Sequence, residues 1–222
     1  MKLDENLYVY EWTDFMENNC NSYYIGGPSG ILVDPGLKKF FPDLLERMGE
    51  DGIREEEIRY VLNTHSHPDH FEASVLFNGN GQVKTGLSPE ERTFHEASGK
   101  LLYSWFGLDL PEVDIDLDLP EGPLVLEGEP FEVLLTPGHS PGHVCIYWPG
   151  RKALFCGDVI FNQNVGRTDF PGGNGEQLKR SILRLSQLDV EHLLPGHMDI
   201  ITGKERVRKN FRQVIEFVFP YI

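Results

Sequence analysis

The stretch His65-Ser66-His67-Pro68-Asp69-His70 decides which fold and which chemistry the sequence predicts. Three imidazoles and a carboxylate within six residues are typical of metal ligands rather than of a core, and the chain has only 8 histidines among 222 residues. His65 and His67 are two positions apart, so in an extended backbone both rings point to the same side. Asp69 and His70 follow where the chain turns toward a helix that we predict near Phe71. Their side chains can therefore face a second point, apart from the one that His65 and His67 face.

Three later segments each supply one more ligand-type side chain at the end of a predicted strand. These are His139 after Phe131–Leu135, Asp158 after Ala153–Cys156, and His197 after Glu191–Leu194. Five imidazoles and two carboxylates provide enough nitrogen and oxygen ligands for two divalent ions such as Zn²⁺, Fe²⁺ or Mn²⁺. Because structural zinc sites favour cysteine and a closed shell, this set predicts a catalytic centre that keeps a position open for water.

Size and charge restrict the class of partner. The length fits a single domain over residues 1–222 that can bury a sizeable core. The formal net charge is −15, from 20 basic and 35 acidic residues, and this field repels polyanions at long range. We therefore expect a small-molecule substrate and no nucleic-acid partner. The oligomeric state stays open.

The termini and the cysteines predict a cytoplasmic protein. The N-terminal residues show no cationic segment followed by an apolar one, as a signal peptide would. No apolar run reaches the roughly 18 residues that span a bilayer, so we expect no membrane association. The three cysteines, Cys20, Cys145 and Cys156, have no paired spacing, which is typical of reduced thiols.

Strand and helix signals alternate along the chain and predict an α/β fold. The predicted early strands cover Asn6–Trp12, Ser22–Gly26, Gly30–Asp34 and Arg59–Asn63. The predicted helices cover Phe40–Glu50, Ser88 to about Gly107, Glu176–Leu188 and Lys204 to about Phe219. We expect the acidic segment Gly107–Gly128 to be irregular.

The string His65-x-His67-x-Asp69-His70, followed in order by His139, Asp158 and His197, resembles the metallo-β-lactamase superfamily. The resemblance runs from about Asn6 to Met198 and implies a four-layer αββα sandwich with the site at the edge between its two sheets. It implies two metal ions, with zinc as the first choice and iron or manganese as alternatives. One ion would be held by His65, His67 and His139, the other by Asp69, His70 and His197, and Asp158 would bridge them. A hydroxide between the ions would be the nucleophile, and Asp69 would be the catalytic residue that orients it.

Within the superfamily, the segments 136–143 and 157–173 resemble the glyoxalase II-like thioester hydrolases. This resemblance implies hydrolysis of a small acyl-thiol conjugate, and it gives Arg167 the place of a basic residue that contacts glutathione. The alternative is that Arg167 only forms a salt bridge with one of the many acids. The sequence departs from the glyoxalase II pattern at two places that bear on glutathione recognition. Asp169 stands where an aromatic residue is expected, and only 25 residues follow His197.

Other functions remain open at this point. The segment Gly166–Phe170 also resembles the persulfide dioxygenases, which hold one Fe²⁺ with the equivalents of His65, His139 and Asp158. A lactonase and an inert metal-binding protein are further alternatives. Of the remaining histidines, we predict that His143 supports the ligands without joining them.

Overall fold

Two β-sheets form the centre of the molecule, for which a computed structural model describes residues 1–14 and 16–222. The first sheet has seven strands in sequential order. They are β1 (Lys2–Asp4), β2 (Leu7–Tyr10), β3 (Ser22–Ile25), β4 (Ile31–Val33), β5 (Tyr60–Leu62), β6 (Lys84–Leu87) and β7 (Leu117–Asp118). Neighbours from β1 to β4 pair antiparallel, whereas those from β4 to β7 pair parallel.

The second sheet has six strands, and a separate two-stranded hairpin, β12 (Ile160–Phe161) with β13 (Asn164–Val165), follows its central part. The six strands are β8 (Gly122–Leu126), β9 (Glu129–Leu135), β10 (Val144–Trp148), β11 (Ala153–Gly157), β14 (His192–Pro195) and β15 (Ile201–Thr202). Their order across the sheet is β15-β14-β11-β10-β9-β8. Strands β10 and β11 are buried along their whole length, as their unbroken apolar sequences require.

Five α-helices accompany the sheets within the described residues, and none of them is both long and apolar enough to cross a bilayer. They are α1 (Phe41–Glu50), α2 (Pro68–Phe71), α3 (Pro89–Trp105), α4 (Gly175–Leu185) and α5 (Lys204–Gln213). A π-helical turn, Val214–Val218, continues α5. The predicted helices are therefore present, although α4 and α5 end earlier than predicted.

Two local predictions are wrong. The helix expected near Phe71 already begins at Pro68, so Asp69 and His70 lie in its first turn. Proline fits the first helical position because its missing N–H has no partner there. The acidic segment expected to be irregular contains both β7 and β8. Both are edge strands with partly exposed side chains, so their sequences lack a clear apolar alternation.

Three apolar cores show how the layers stack. One core lies between the two sheets and includes Val33, Ile146 and Phe155. A second joins the outer face of the first sheet to α1. A third joins the outer face of the second sheet to α4 and α5. The four-layer αββα sandwich predicted from the sequence is thus confirmed.

Strand direction gathers the ligand-bearing loops at one edge of the sandwich. Strands β11 and β14 are parallel, and β9 runs the same way because it is antiparallel to β10, which is antiparallel to β11. The carboxyl ends of these three strands therefore lie at the same edge of the second sheet. In the first sheet, β5 leads directly into the histidine stretch.

Truncating the inter-sheet core should destabilise the protein strongly. Ile146 is fully buried between the sheets, so we expect Ile146→Ala to lower the free energy of unfolding by about 2–5 kcal/mol. Val125, 64% exposed on β8, is the control, and Val125→Ala should cost less than about 0.5 kcal/mol. Denaturant unfolding measures both. Similar losses for the two variants would contradict this account of the core.

Candidate metal centre

Seven histidine and aspartate side chains converge where the strand-end loops meet. They form three overlapping groups, within each of which the possible ligand atoms lie no more than 4.8 Å apart. The groups are His65, His67 and His139; His65, His70 and Asp158; and Asp69, His70 and His197. All seven residues are those that the sequence singled out as metal ligands. Six are buried, and His197 is half-buried at the edge.

Asp158 lies between the two outer groups. One of its carboxylate oxygens, Oδ1, is 3.2 Å from His70 Nε2. The other, Oδ2, is 3.4 Å from the Nε2 atoms of both His139 and His197. This single carboxylate therefore contacts histidines of the first and of the third group.

The donor atoms fit a divalent cation. The Nε2 atoms of His65, His67 and His139 are buried, and among the described residues they have no hydrogen-bond partner. Buried nitrogens without a partner are costly unless something else occupies them. Burial also lowers the pKa of His65 and His67, which favours the neutral imidazole that binds metal.

A positive charge is also favoured beside the carboxylates. Burial alone would lower the pKa of His197, but the charge of Asp158 and hydrogen bonds to Asp158 and Asp69 raise it to about 10. The two carboxylates thus favour a positive charge at this position, which a divalent cation would also supply.

A ring of buried partners fixes the ligand side chains. Asp34 Oδ2 lies 2.9 Å from His70 Nδ1, and its two oxygens accept hydrogen bonds at 2.8 Å from the Thr64 amide and hydroxyl. The Arg167 carbonyl oxygen lies 2.7 Å from His139 Nδ1. Such partners set the tautomer and leave Nε2 directed at the ion.

His143 supports Asp158 rather than joining the ligand groups. Its Nε2 accepts a hydrogen bond of 3.1 Å from the Asp158 amide, and its Nδ1 lies 3.0 Å from Thr136 Oγ1. Gly196 leaves room for two of the candidate ligands, because a Cβ at this position would overlap Asp158 Oδ1 and His70 Cε1. Only glycine allows the loop to pass this close to the centre.

Sequence analysis missed two polar residues next to the ligands. Asn18 donates a hydrogen bond of 2.9 Å from Nδ2 to Asp69 Oδ2, and no local pattern marks it. Glu91 is fully buried and contacts the loops on both sides of the centre. Its only signal was its place in the capped start of α3, which indicates a helix and not a site.

A cavity of about 410 Å³ opens onto the centre. Its polar floor includes His67, Asp69, His139, Asp158 and His197, and its walls include Asn18, Phe106, Phe161, Val165, Arg167 and Phe170. The cavity thus combines the candidate ligands with largely apolar walls, which is the usual character of a small-molecule site.

Arg167 forms the salt bridge that was one of the two alternatives, while its contact with glutathione stays a prediction. It lines the cavity, and its Nε and Nη2 donate two hydrogen bonds of 2.7 Å to the carboxylate of Asp169. Its guanidinium also stacks 3.7 Å from the ring centroid of Phe170. The residue that replaces the expected aromatic one is therefore the salt-bridge partner of Arg167, and the next residue supplies an aromatic ring.

Comparison with known proteins agrees with the geometry. The model of the Metallo-beta-lactamase superfamily matches residues 16–197, and the chain belongs to that superfamily. A probable metallo-hydrolase of Methanocaldococcus jannaschii is 33% identical over 82% of this chain and 89% of its own. A hydroxyacylglutathione hydrolase, GloC, of Haemophilus influenzae is 32% identical over 92% of this chain and 96% of its own.

A solved structure supports the same assignment. A protein crystallised in a di-iron-bound form superposes with a TM-score of 0.70 at 32% identity, covering 86% of this chain and 93% of that one. The predicted superfamily and the resemblance to glyoxalase II-like relatives are confirmed. The chain is a metallo-hydrolase of this superfamily, whose members bind divalent metals.

Proposed function

We propose that this protein hydrolyses thioesters of small acyl groups, in the manner of glyoxalase II, at a centre of two divalent ions. Zinc is the first choice, with iron or manganese as alternatives. His65, His67 and His139 would hold one ion, Asp69, His70 and His197 would hold the other, and Asp158 would be shared between them.

The position of Asp158 is the observation that carries the proposal. One oxygen lies 3.2 Å from His70, while the other lies 3.4 Å from both His139 and His197. A carboxylate that reaches histidines of both outer groups can serve as a ligand shared between two ions, which supports the binuclear arrangement.

The chemistry requires a nucleophile at neutral pH and a polarised carbonyl. When bound, two divalent ions would supply both, because they lower the pKa of water and act as Lewis acids. Asp69 would orient the attacking water by accepting its hydrogen bond. Although burial opposes ionisation, a hydrogen bond from His197 and the charge of His70 hold the pKa of Asp69 below its usual range. Asn18 fixes the same carboxylate from the cavity side.

The cavity walls suit a thioester substrate. In the reaction, the water loses a proton as its oxygen joins the acyl carbon, the carbon–sulfur bond breaks, and the sulfur leaves as a thiolate that takes up a proton to give the thiol. Phe106, Phe161 and Phe170 offer apolar surface for the acyl and thiol parts, and Arg167 is the substrate-binding residue. The Haemophilus influenzae relative, a hydroxyacylglutathione hydrolase, supports this choice of substrate class.

Metal analysis combined with three assays tests the proposal. We expect about two metal ions per chain and hydrolysis of S-lactoylglutathione, which is measured as the loss of thioester absorbance. One iron per chain with oxygen uptake on a persulfide would favour the dioxygenase instead. Turnover of lactones alone would indicate a lactonase, and full occupancy without turnover would indicate an inert metal-binding protein.

Removal of one ligand should remove one ion. We expect His197→Ala to bind about one ion per chain, because only the group containing Asp69 and His70 loses a donor. His95→Ala is the control, since His95 lies on α3 outside all three groups. Elemental analysis after gel filtration measures the ratio. Two ions retained by His197→Ala would contradict the assignment.

Neutralising Asp69 should lower turnover more than substrate binding. We expect Asp69→Asn to reduce kcat about 10²–10⁴-fold, the range for loss of a positioned acid–base group. Asp109→Asn makes the same change on an exposed residue and should leave kcat unaltered. Metal content is measured in parallel, and a normal kcat in fully loaded Asp69→Asn would rule out the proposed role.

Arg167 should affect KM modestly. Its guanidinium is 54% exposed and shared with Asp169, so its pairing with a substrate carboxylate should be weak. We expect Arg167→Gln to raise KM for S-lactoylglutathione about two- to fivefold. Arg54→Gln, which removes an exposed pair with Glu57, should not change KM. A purely structural Arg167 would leave KM unchanged as well.

A further inference from the structure

Glu91 is a buried carboxylate that the proposed chemistry does not use. It lies in the first turn of α3 and is fully buried. In the described part of the chain, no lysine, arginine or histidine forms an ion pair with it. A buried carboxylate without a cation is expensive, so its place requires an explanation.

Four hydrogen bonds satisfy the Glu91 carboxylate. Oε1 accepts from the amide and the hydroxyl of Ser66, at 3.0 and 2.8 Å. Oε2 accepts from the Ser140 hydroxyl and the Gly142 amide, at 2.7 and 2.9 Å. Each oxygen thus uses both lone pairs, one of them on a backbone N–H that can only donate. Burial raises the pKa of Glu91, and these hydrogen bonds oppose that shift.

The serines that Glu91 contacts are neighbours of candidate ligands. Ser66 stands between His65 and His67, and Ser140 directly follows His139. All three members of one ligand group are therefore adjacent to a Glu91 contact. Among the ligands specific to the other group, Asp69 is three residues from Ser66, and His197 lies on a loop that makes no hydrogen bond to Glu91.

The start of α3 fixes Glu91 in turn. Ser88 accepts a hydrogen bond of 3.0 Å from the Glu91 amide and donates one of 2.6 Å to the Gly142 carbonyl. A Cβ at Gly142 would overlap the Glu91 backbone, so the loop is packed directly against the helix. The carboxylate consequently has a main-chain donor on each side, the amides of Ser66 and Gly142, in addition to the two serine hydroxyls.

We propose that Glu91 is a positioning residue for one half of the metal centre, the group formed by His65, His67 and His139. It joins the loop after β5, in the first sheet, to the loop after β9, in the second. This inference rests on the proposed binding of two ions. It assigns the effect of Glu91 to one ion and not to the other.

Two backgrounds separate the halves of the centre. In His197→Ala, the group of His65, His67 and His139 stays intact, whereas in His67→Ala the group of Asp69, His70 and His197 does. We expect Glu91→Gln to weaken Co²⁺ binding about tenfold or more in the first background, the range for a lost outer-shell partner, and to shift the Co²⁺ absorption spectrum. In the His67→Ala background, Glu91→Gln should leave the Co²⁺ affinity and the Co²⁺ absorption spectrum unchanged. Calorimetry with a competing chelator measures affinity.

Matched variants control for general effects. Glu90→Gln makes the same change at the neighbouring exposed position and should alter neither background. Ser140→Ala removes one hydroxyl donor but keeps the Glu91 carboxylate, so it is the milder variant to use if Glu91→Gln fails to fold. We expect it to weaken Co²⁺ binding less than Glu91→Gln does, and only in the His197→Ala background. Denaturant unfolding of the metal-free variants records stability separately.

Each outcome is decisive. Equal weakening in both backgrounds would show a merely structural role and overturn this inference, as would no change in either. Wild-type protein that binds two ions and hydrolyses thioesters would keep the proposed function in both of those cases. Wild-type protein that binds no ion would overturn the proposed function and this inference together.

Discussion

The burial of five imidazoles and two carboxylates at one edge of the sandwich is the constraint on which the rest of the structure depends. Taken from water, these groups lose hydration that no apolar packing can replace. The fold answers with hydrogen-bond partners around them: Asp34 for His70, the Arg167 carbonyl for His139, and His143 for Asp158. These partners leave one ring nitrogen free on each of several histidines, and those nitrogens face a common centre.

One residue at the same edge has a strained backbone. Asp34 adopts a positive φ of 52°, which is unfavourable for a residue with a Cβ. The conformation turns its carboxylate back toward Thr64 and His70 immediately after β4. Three hydrogen bonds compensate for the backbone cost, so local strain and site geometry have the same origin.

The ligands could be predicted from the sequence because their pattern is local and chemical. His65 and His67 are two positions apart at a strand end, and three further candidate ligands, His139, Asp158 and His197, each follow an apolar strand. These signals can be read from the sequence without knowledge of the fold. The four-layer architecture followed from the resemblance that those residues carry. Edge strands β7 and β8 lacked a clear apolar pattern, because the exposed edge of a sheet requires none.

The supporting residues could not be predicted in the same way. Glu91 stands in a Ser-x-x-Glu pattern that favours a helix start, and tertiary contacts with two distant loops give its side chain a different task. Asn18 contacts Asp69 across 51 residues of sequence. The pairing of Arg167 with Asp169 is local, yet only the structure shows that Arg167 forms this pair while it lines the cavity.

The contacts of Asn21 join distant parts of the chain beside the candidate metal centre. Asn21 donates hydrogen bonds to the carbonyls of Pro195 and Met198, more than 170 positions along the chain, and its backbone amide donates to the Gly196 carbonyl. The loop that presents His197 is thus held by the residue that leads into β3. The stretch His65–His70 is local in sequence, whereas the position of His197 requires two distant segments to meet, with the loop-closure entropy that such a separation costs. The two halves of the centre therefore differ in the conformational entropy that folding must overcome to build them.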